Sequence, residues 1–80
     1  MIYYAALPFT PVEEGGLAPG QAVECQNPGA AIRRAEAMSR QEGHIGAVAF
    51  SRQGDPNLGE FDDAVILQTF GEVPQDFEQP

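Results

Sequence analysis

Cysteine and histidine each occur only once in this sequence. Its 80 residues include one cysteine, Cys25, and one histidine, His44. A disulfide within the chain is therefore excluded, and two such ligands fall short of the set that a structural zinc ion usually takes. Because the chain has a single thiol and no charged-then-apolar leader after Met1, we expect a cytoplasmic protein.

Positive charge is also scarce. Four basic residues, all arginine, stand against twelve acidic residues, and the net charge is −8. This charge repels phosphate backbones and anionic lipid, so neither a nucleic acid nor a membrane is expected as a partner. The longest apolar runs, around 2–9 and 45–50, are too short to span a bilayer. The glycines form neither GxGxxG nor GxxxxGK[ST], and we predict no cofactor.

The chain is short enough to be one domain. We predict a single small domain over 1–73 and a flexible acidic tail over 74–80, where prolines bound the stretch "PQDFEQP". So small a domain often depends on a disulfide, a metal or a partner chain for its stability. Because a disulfide and a metal are set aside here, good packing or a partner chain remains as the source of stability.

The clearest element is a helix, predicted over 28–42. Asn27 is a good N-cap, and Pro28 at the first helical position loses only an amide that would have no partner. Gly43 stands where a left-handed residue often ends a helix. One stripe at helical spacing is mostly alanine and is predicted to be buried, with Ile32 at its margin: Ala31, Ala35, Met38.

Three segments rich in β-branched and aromatic residues predict strands at 2–9, 45–51 and 64–71, and 21–26 is a possible fourth. Pro8 lacks the amide hydrogen that a central strand needs, so the first strand is expected at an edge or to end its pairing there. The predicted fold is α+β, a small antiparallel or mixed sheet of three to four strands with one helix on one face, in the order β-(β)-α-β-β.

The stretch "SRQGDPNLGEFDD" concentrates four carboxylates that could form an acidic patch: Asp55, Glu60, Asp62, Asp63. An EF-hand loop starting at Asp55 would need glycine and glutamate where the chain has Glu60 and Ile66. Asp62 and Asp63 are adjacent, so in a strand they would point to opposite faces and could not share a proton. We predict a polar turn here, with neither a metal site nor a catalytic carboxylate pair.

Cys25 and His44 are the only candidates for a nucleophile and its base. They flank the predicted helix, which at a rise of about 1.5 Å per residue separates them by some 20 Å. A catalytic hydrogen bond needs roughly 3 Å. No catalytic residue is assigned, and the chain is predicted not to be an enzyme.

Both faces of each predicted strand are apolar, which indicates that both faces of the sheet are covered. A single helix covers only one face. The other must be covered by the loop at 10–20, by the tail, or by another chain. The residues predicted to form such an interface lie on three strands: Tyr3, Leu7, Val48, Phe50, Val65, Leu67.

These observations favour a small non-enzymatic interaction or adaptor module, acting as a homodimer through an apolar sheet face or edge, or docked on a protein partner. One alternative is an acidic inhibitor or nucleic-acid mimic that occupies a basic groove on its partner. Another is a domain that binds a small molecule. Fold class alone does not decide among them.

Overall fold

Two long strands, β1 (Ile2–Pro11) and β4 (Gly46–Asp55), pair antiparallel at the centre of the sheet. One face of this pair consists mainly of alanine, because Ala6, Ala47 and Ala49 are each fully buried on it. Such small side chains give a flat surface on which a helix can lie close.

The computed structural model describes residues 1–55 and 57–74, and it describes the backbone alone for Asp55, Glu60 and Phe61. Four shorter strands flank the central pair: β2 (Leu17–Pro19), β3 (Val23–Cys25), β5 (Glu60–Phe61) and β6 (Val65–Gly71). β2 and β3 both pair with β1, and β6 pairs with β4, all antiparallel. β5 adds a two-residue ladder at the end of β4.

The predicted α+β class and antiparallel sheet are confirmed, but the sheet has more strands than expected. Five strands form one open sheet, and β5 continues its edge. The additional strand, β2, lies in the proline- and glycine-rich stretch that the sequence marked as a loop. A turn from Val12 to Gly15, in which the Gly15 amide donates to the Val12 carbonyl at 3.1 Å, brings the chain back alongside β1 there. The possible strand at 21–26 corresponds to β3.

The helix, α1 (Pro28–Ser39), begins where the sequence predicts. The side chain of Asn27 accepts a hydrogen bond from the amide of Ala30 at 2.8 Å, which satisfies one of the unpaired donors of the first turn. The predicted buried stripe is confirmed, since its three residues are the ones that the helix buries: Ala31, Ala35, Met38. The single helix packs on one face of the sheet, as expected.

α1 ends three residues earlier than the predicted limit at 42. Arg40 is its C-cap, and the chain then makes a turn in which the His44 amide donates to the Gln41 carbonyl at 3.1 Å. Gly43 has a positive φ of 90°, as a type II turn requires at its third position. The glycine therefore serves this turn and not the end of the helix.

Pro8 lies in a central strand, and the expectation of an edge strand is wrong. The Pro8 carbonyl accepts from the amide of Gly20 at 2.8 Å. The amide and carbonyl of one extended residue point to the same side, so the missing Pro8 amide lies on the side of β2 and β3. That is where the β3 ladder has ended and the β2 ladder has not yet begun. Pro8 therefore costs no hydrogen bond to β4.

A second apolar cluster covers the face of the sheet opposite α1. Phe9 and Val48 are almost fully buried in it, and Leu7, Phe50 and Ile66 are partly buried around them. The chain supplies two covering side chains, Leu17 from β2 and Val73 from the segment after β6. The loop at 10–20 thus contributes to the cover, as one of the predicted possibilities allowed.

Two glycines let the chain reach this position after β6. Gly71 has a φ of +69°, and a Cβ there would overlap the carbonyl of Ile45. A Cβ on Gly46, which pairs with Gly71, would overlap the backbone of Glu72. The crossing is held by a hydrogen bond from the Glu72 amide to the Ile45 carbonyl at 2.9 Å. This crossing directs Val73 onto the second cluster.

Replacing Gly71 with alanine should lower the free energy of unfolding by roughly 2–4 kcal/mol, because it adds a backbone overlap to a left-handed conformation. Gly15→Ala is the matched control, since Gly15 also has a positive φ, of 83°, but no atom within 4 Å of its Cβ position. It should lose only about 1–2 kcal/mol. Urea denaturation measures the free energy of unfolding of both variants. Equal decreases in the two would contradict the close crossing at Gly71.

Replacing Asn27 with alanine should lower the free energy of unfolding by about 1 kcal/mol, because the amide of Ala30 loses its acceptor. Gln26→Ala, one residue outside the cap and also exposed, should change it by less than about 0.5 kcal/mol. The same urea experiment separates them. An Asn27→Ala loss no larger than that of the control would show that the cap does not contribute.

Candidate functional site

Among the described residues, the outer edge of β6, hereafter the β6 edge, is the longest open edge of the sheet. Within the described part of the chain, β6 pairs with β4 alone. Its seven residues, "VILQTFG", include no charge and no proline. Val65 is 61% exposed, and Gln68 at the centre of the strand is also exposed. A strand of this kind presents unpaired backbone groups to another chain.

The opposite edge of the sheet is much less suited to pairing. It is formed by β2 and β3, which have three residues each and are interrupted at 20–22. Pro19 lies at the end of β2, and the exposed Glu24 lies at the centre of β3. Short strands, proline and charge are the features that protect sheet edges from further pairing.

Acidic residues flank the β6 edge at both ends. Asp62 and Asp63 precede β6 and are exposed, and the exposed Glu72 follows it. The Asp62 backbone is held in place, because its amide donates to the Gln53 carbonyl at 2.7 Å and its carbonyl accepts from Arg52 Nε at 2.9 Å. Charges that flank an apolar strand oppose its unlimited stacking into aggregates.

The predicted acidic patch falls only in part on described side chains. Asp62 and Asp63 are exposed as expected, whereas the side chains of Asp55 and Glu60 lie outside the described residues. Over 57–59 the chain forms a turn in which Gly59 has a φ of +71°. Among the described residues, no group of three or more histidine, cysteine, aspartate or glutamate side chains is placed to hold a metal ion.

Three of the predicted interface residues lie on the face of the second cluster and keep part of their surface exposed: Tyr3, Leu7, Phe50. Val48 lies on the same face but is 0% exposed, so it belongs to the core and offers no surface to a partner. Because Leu17 and Val73 cover part of this face, its open area is smaller than the sequence pattern suggested.

Val65 and Leu67 do not lie with these residues. A register shift between Ala49 and Phe50 pairs Phe50 with Ile66. Ile66, and not Val65 or Leu67, therefore packs against the second cluster. Leu67 packs instead against the cluster beneath α1. Val65 and Leu67 therefore lie on a different face of the sheet from Phe50, because an extra residue in one strand shifts the alternation of its side chains. The predicted tail at 74–80 is described only at Pro74, which is half-buried.

Cys25 and His44 lie at opposite ends of α1. The Cys25 thiol contacts the Val23 carbonyl at 3.6 Å, beside the start of the helix. His44 Nδ1 lies 2.8 Å from the carbonyl of Met38 in the last turn. A carbonyl only accepts, so Nδ1 carries the proton. α1, which has 12 residues, separates the two side chains by about 18 Å, which is too far for a nucleophile and its base.

A groove of about 450 Å³ opens beside the C-terminal half of α1. Its floor includes the buried Pro8 and Met38, and Ala37 lines it as well. Four polar side chains surround this apolar floor: Gln21, Arg34, Gln41, His44. The groove was not predicted, because Gln21 reaches it from the break between β2 and β3. Its helical part was readable from the spacing of Arg34, Ala37 and Gln41, which places them on one face.

Comparison with protein-family models, with curated proteins and with solved structures finds no match to this chain. Within 1–55 and 57–74, no helix has the length and hydropathy needed to cross a membrane.

Alkylation of Cys25 by iodoacetamide should proceed at the same rate, within about twofold, in the wild type and in His44→Gln. Glutamine can still donate to the Met38 carbonyl, so the variant should keep its fold. If His44 acted as a base toward the thiol, its loss would slow alkylation by about tenfold or more. Such a slowing would contradict the separation of the two residues.

Proposed function

We propose that this chain is a small non-enzymatic protein-interaction module that acts as a homodimer through the β6 edge. The observation that carries the proposal is the seven-residue, uncharged outer edge of β6, which has no partner among the described residues. We place the dimer in the cytoplasm, because a reducing compartment suits a chain whose one thiol, Cys25, is free.

A second copy of the chain fits this edge through two-fold symmetry. When β6 pairs antiparallel with itself, Gln68 lies near the symmetry axis and the Val65 end of one copy meets the Gly71 end of the other. Because β6 has no charged residue, the pairing places no carboxylates directly opposite each other. The unpaired backbone groups of both strands are satisfied, and the sheet continues across the interface.

The edge is a better candidate than the second face of the sheet. Leu17 and Val73 already pack on that face, and Val48 beneath them has no exposed surface. Only the half-buried side chains around Tyr3 and Phe50 remain partly open. Along the outer edge of β6, in contrast, no described element pairs.

The acidic residues that flank β6 should make the affinity of the homodimer depend on salt in a defined direction. Two-fold pairing brings Glu72 of one copy toward Asp62 and Asp63 of the other, and each chain has a net charge of −8. Salt screens this repulsion, so the homodimer should become tighter as ionic strength rises. An acidic inhibitor docked on a basic groove would lose affinity under the same change.

Multi-angle light scattering in the micromolar range should give twice the chain mass of 8.6 kDa. Gln68→Glu should raise the dimer dissociation constant by about tenfold, because it places two carboxylates near the symmetry axis. Gln53→Glu makes the same change at an exposed position of β4 that already pairs with Ile2, and it should leave the constant within about twofold.

A monomeric wild-type chain throughout this concentration range would overturn the proposal. So would equal effects of the two glutamate variants, because the contact would then not be at the β6 edge. Sedimentation at low and high salt provides an independent test. Association that weakens as salt rises would favour the acidic-inhibitor alternative over the homodimer.

A further inference from the structure

The groove beside α1 differs in charge from the rest of the molecule. The chain has four arginines and one histidine, and two of these five side chains, Arg34 and His44, line this single groove. No aspartate or glutamate of the described residues lines it, although the chain has twelve acidic residues. The groove thus holds one guanidinium and no described carboxylate, in a protein whose net charge is −8.

Arg34 is available to a ligand. Arg40 is engaged by Glu36, whose carboxylate lies 2.9 Å away, and Arg52 donates to the carbonyl of Asp62. Arg34, by contrast, forms no ion pair or hydrogen bond with any residue that the structure describes. A guanidinium of this kind presents a planar pair of donors that matches the two oxygens of a carboxylate.

The volume and lining of the groove also suit a small molecule. Ligand sites typically measure roughly 300–1,000 Å³ and combine an apolar surface with a few polar groups, and this groove measures about 450 Å³. Met38, Ala37 and Pro8 form the apolar surface, and the amides of Gln21 and Gln41 can donate or accept.

The chemistry of the site favours a singly charged anion. The negative end of the α1 dipole is close by, because His44 bonds the carbonyl of Met38 in the last helical turn. That end opposes a dianion more strongly than a monoanion, and one guanidinium neutralises one charge. We propose that this groove binds a small organic carboxylate, with its carboxylate on Arg34 and its apolar body on Met38 and Ala37.

Nuclear magnetic resonance titration tests this proposal with three probes that share a phenyl ring: benzoate, its neutral analogue benzamide, and phenyl phosphate. Benzoate should give saturable shifts at Gln21, Ala37 and Gln41. Its affinity should exceed that of benzamide by about tenfold, because benzamide lacks the charge that pairs with Arg34. Phenyl phosphate should bind more weakly than benzoate.

The matched variants are Arg34→Gln and Arg33→Gln. Both remove one exposed positive charge from α1, but only Arg34 lines the groove. Arg34→Gln should weaken benzoate binding by about tenfold, whereas Arg33→Gln should keep it within about twofold. A wild-type-like spectrum of each free variant shows that the fold is intact.

Three results would overturn the proposal: no saturable shift with benzoate, benzamide binding as tightly as benzoate, or equal losses in the two arginine variants. Tighter binding of phenyl phosphate would also overturn it, since the site would then select a dianion. Gln68→Glu should bind benzoate as the wild type does. The proposal of a ligand in the groove and the proposal of a homodimer can therefore be refuted independently of each other.

Discussion

The antiparallel pairing of β1 with β4 is the constraint on which the rest of the structure depends. Both faces of this pair are apolar, with alanines toward α1 and with Phe9 and Val48 on the opposite side. One helix cannot cover both faces. The chain meets this requirement by placing α1 on one face and two separate side chains, Leu17 and Val73, on the other. The short strand β2 and the crossing after β6 therefore each supply a side chain that packs on the core.

The cover on the second face is obtained through backbone geometry more than through side-chain volume. Gly46 and Gly71 allow two segments to cross where any side chain would overlap the neighbouring backbone. The small buried residues beneath α1 work in the same way, because they bring the helix close to the sheet. A chain of this length, with a single free thiol, thus obtains a two-sided core without a cross-link. Among the described residues, the arrangement leaves the β6 edge as the longest unpaired edge of the sheet.

Local sequence signals predicted the elements that depend on neighbouring residues. The Asn27 cap, the start of α1 and its buried stripe follow from rules that act within a few residues. Signals failed where distant segments decide the outcome. Pro8 is tolerated at the centre of the sheet because the β2 and β3 ladders break beside it. One irregular residue in the pairing of β6 with β4 places Ile66, and not Val65 or Leu67, beside Phe50. The groove was missed for the same reason, since Gln21 and Arg34 meet only after the sheet has formed.

The central pairing also has a consequence for the speed of folding. Partners in the β1–β4 ladder are between 37 and 51 positions apart along the chain. A loop of that length has to close before any ladder bond compensates for its lost entropy, and high contact order of this kind slows the search. α1 lies within this loop and can form early, because its cap and its alanines act locally. Once formed, it reduces the length of disordered chain between β1 and β4. Until the ladder closes, β6 has no partner on either side.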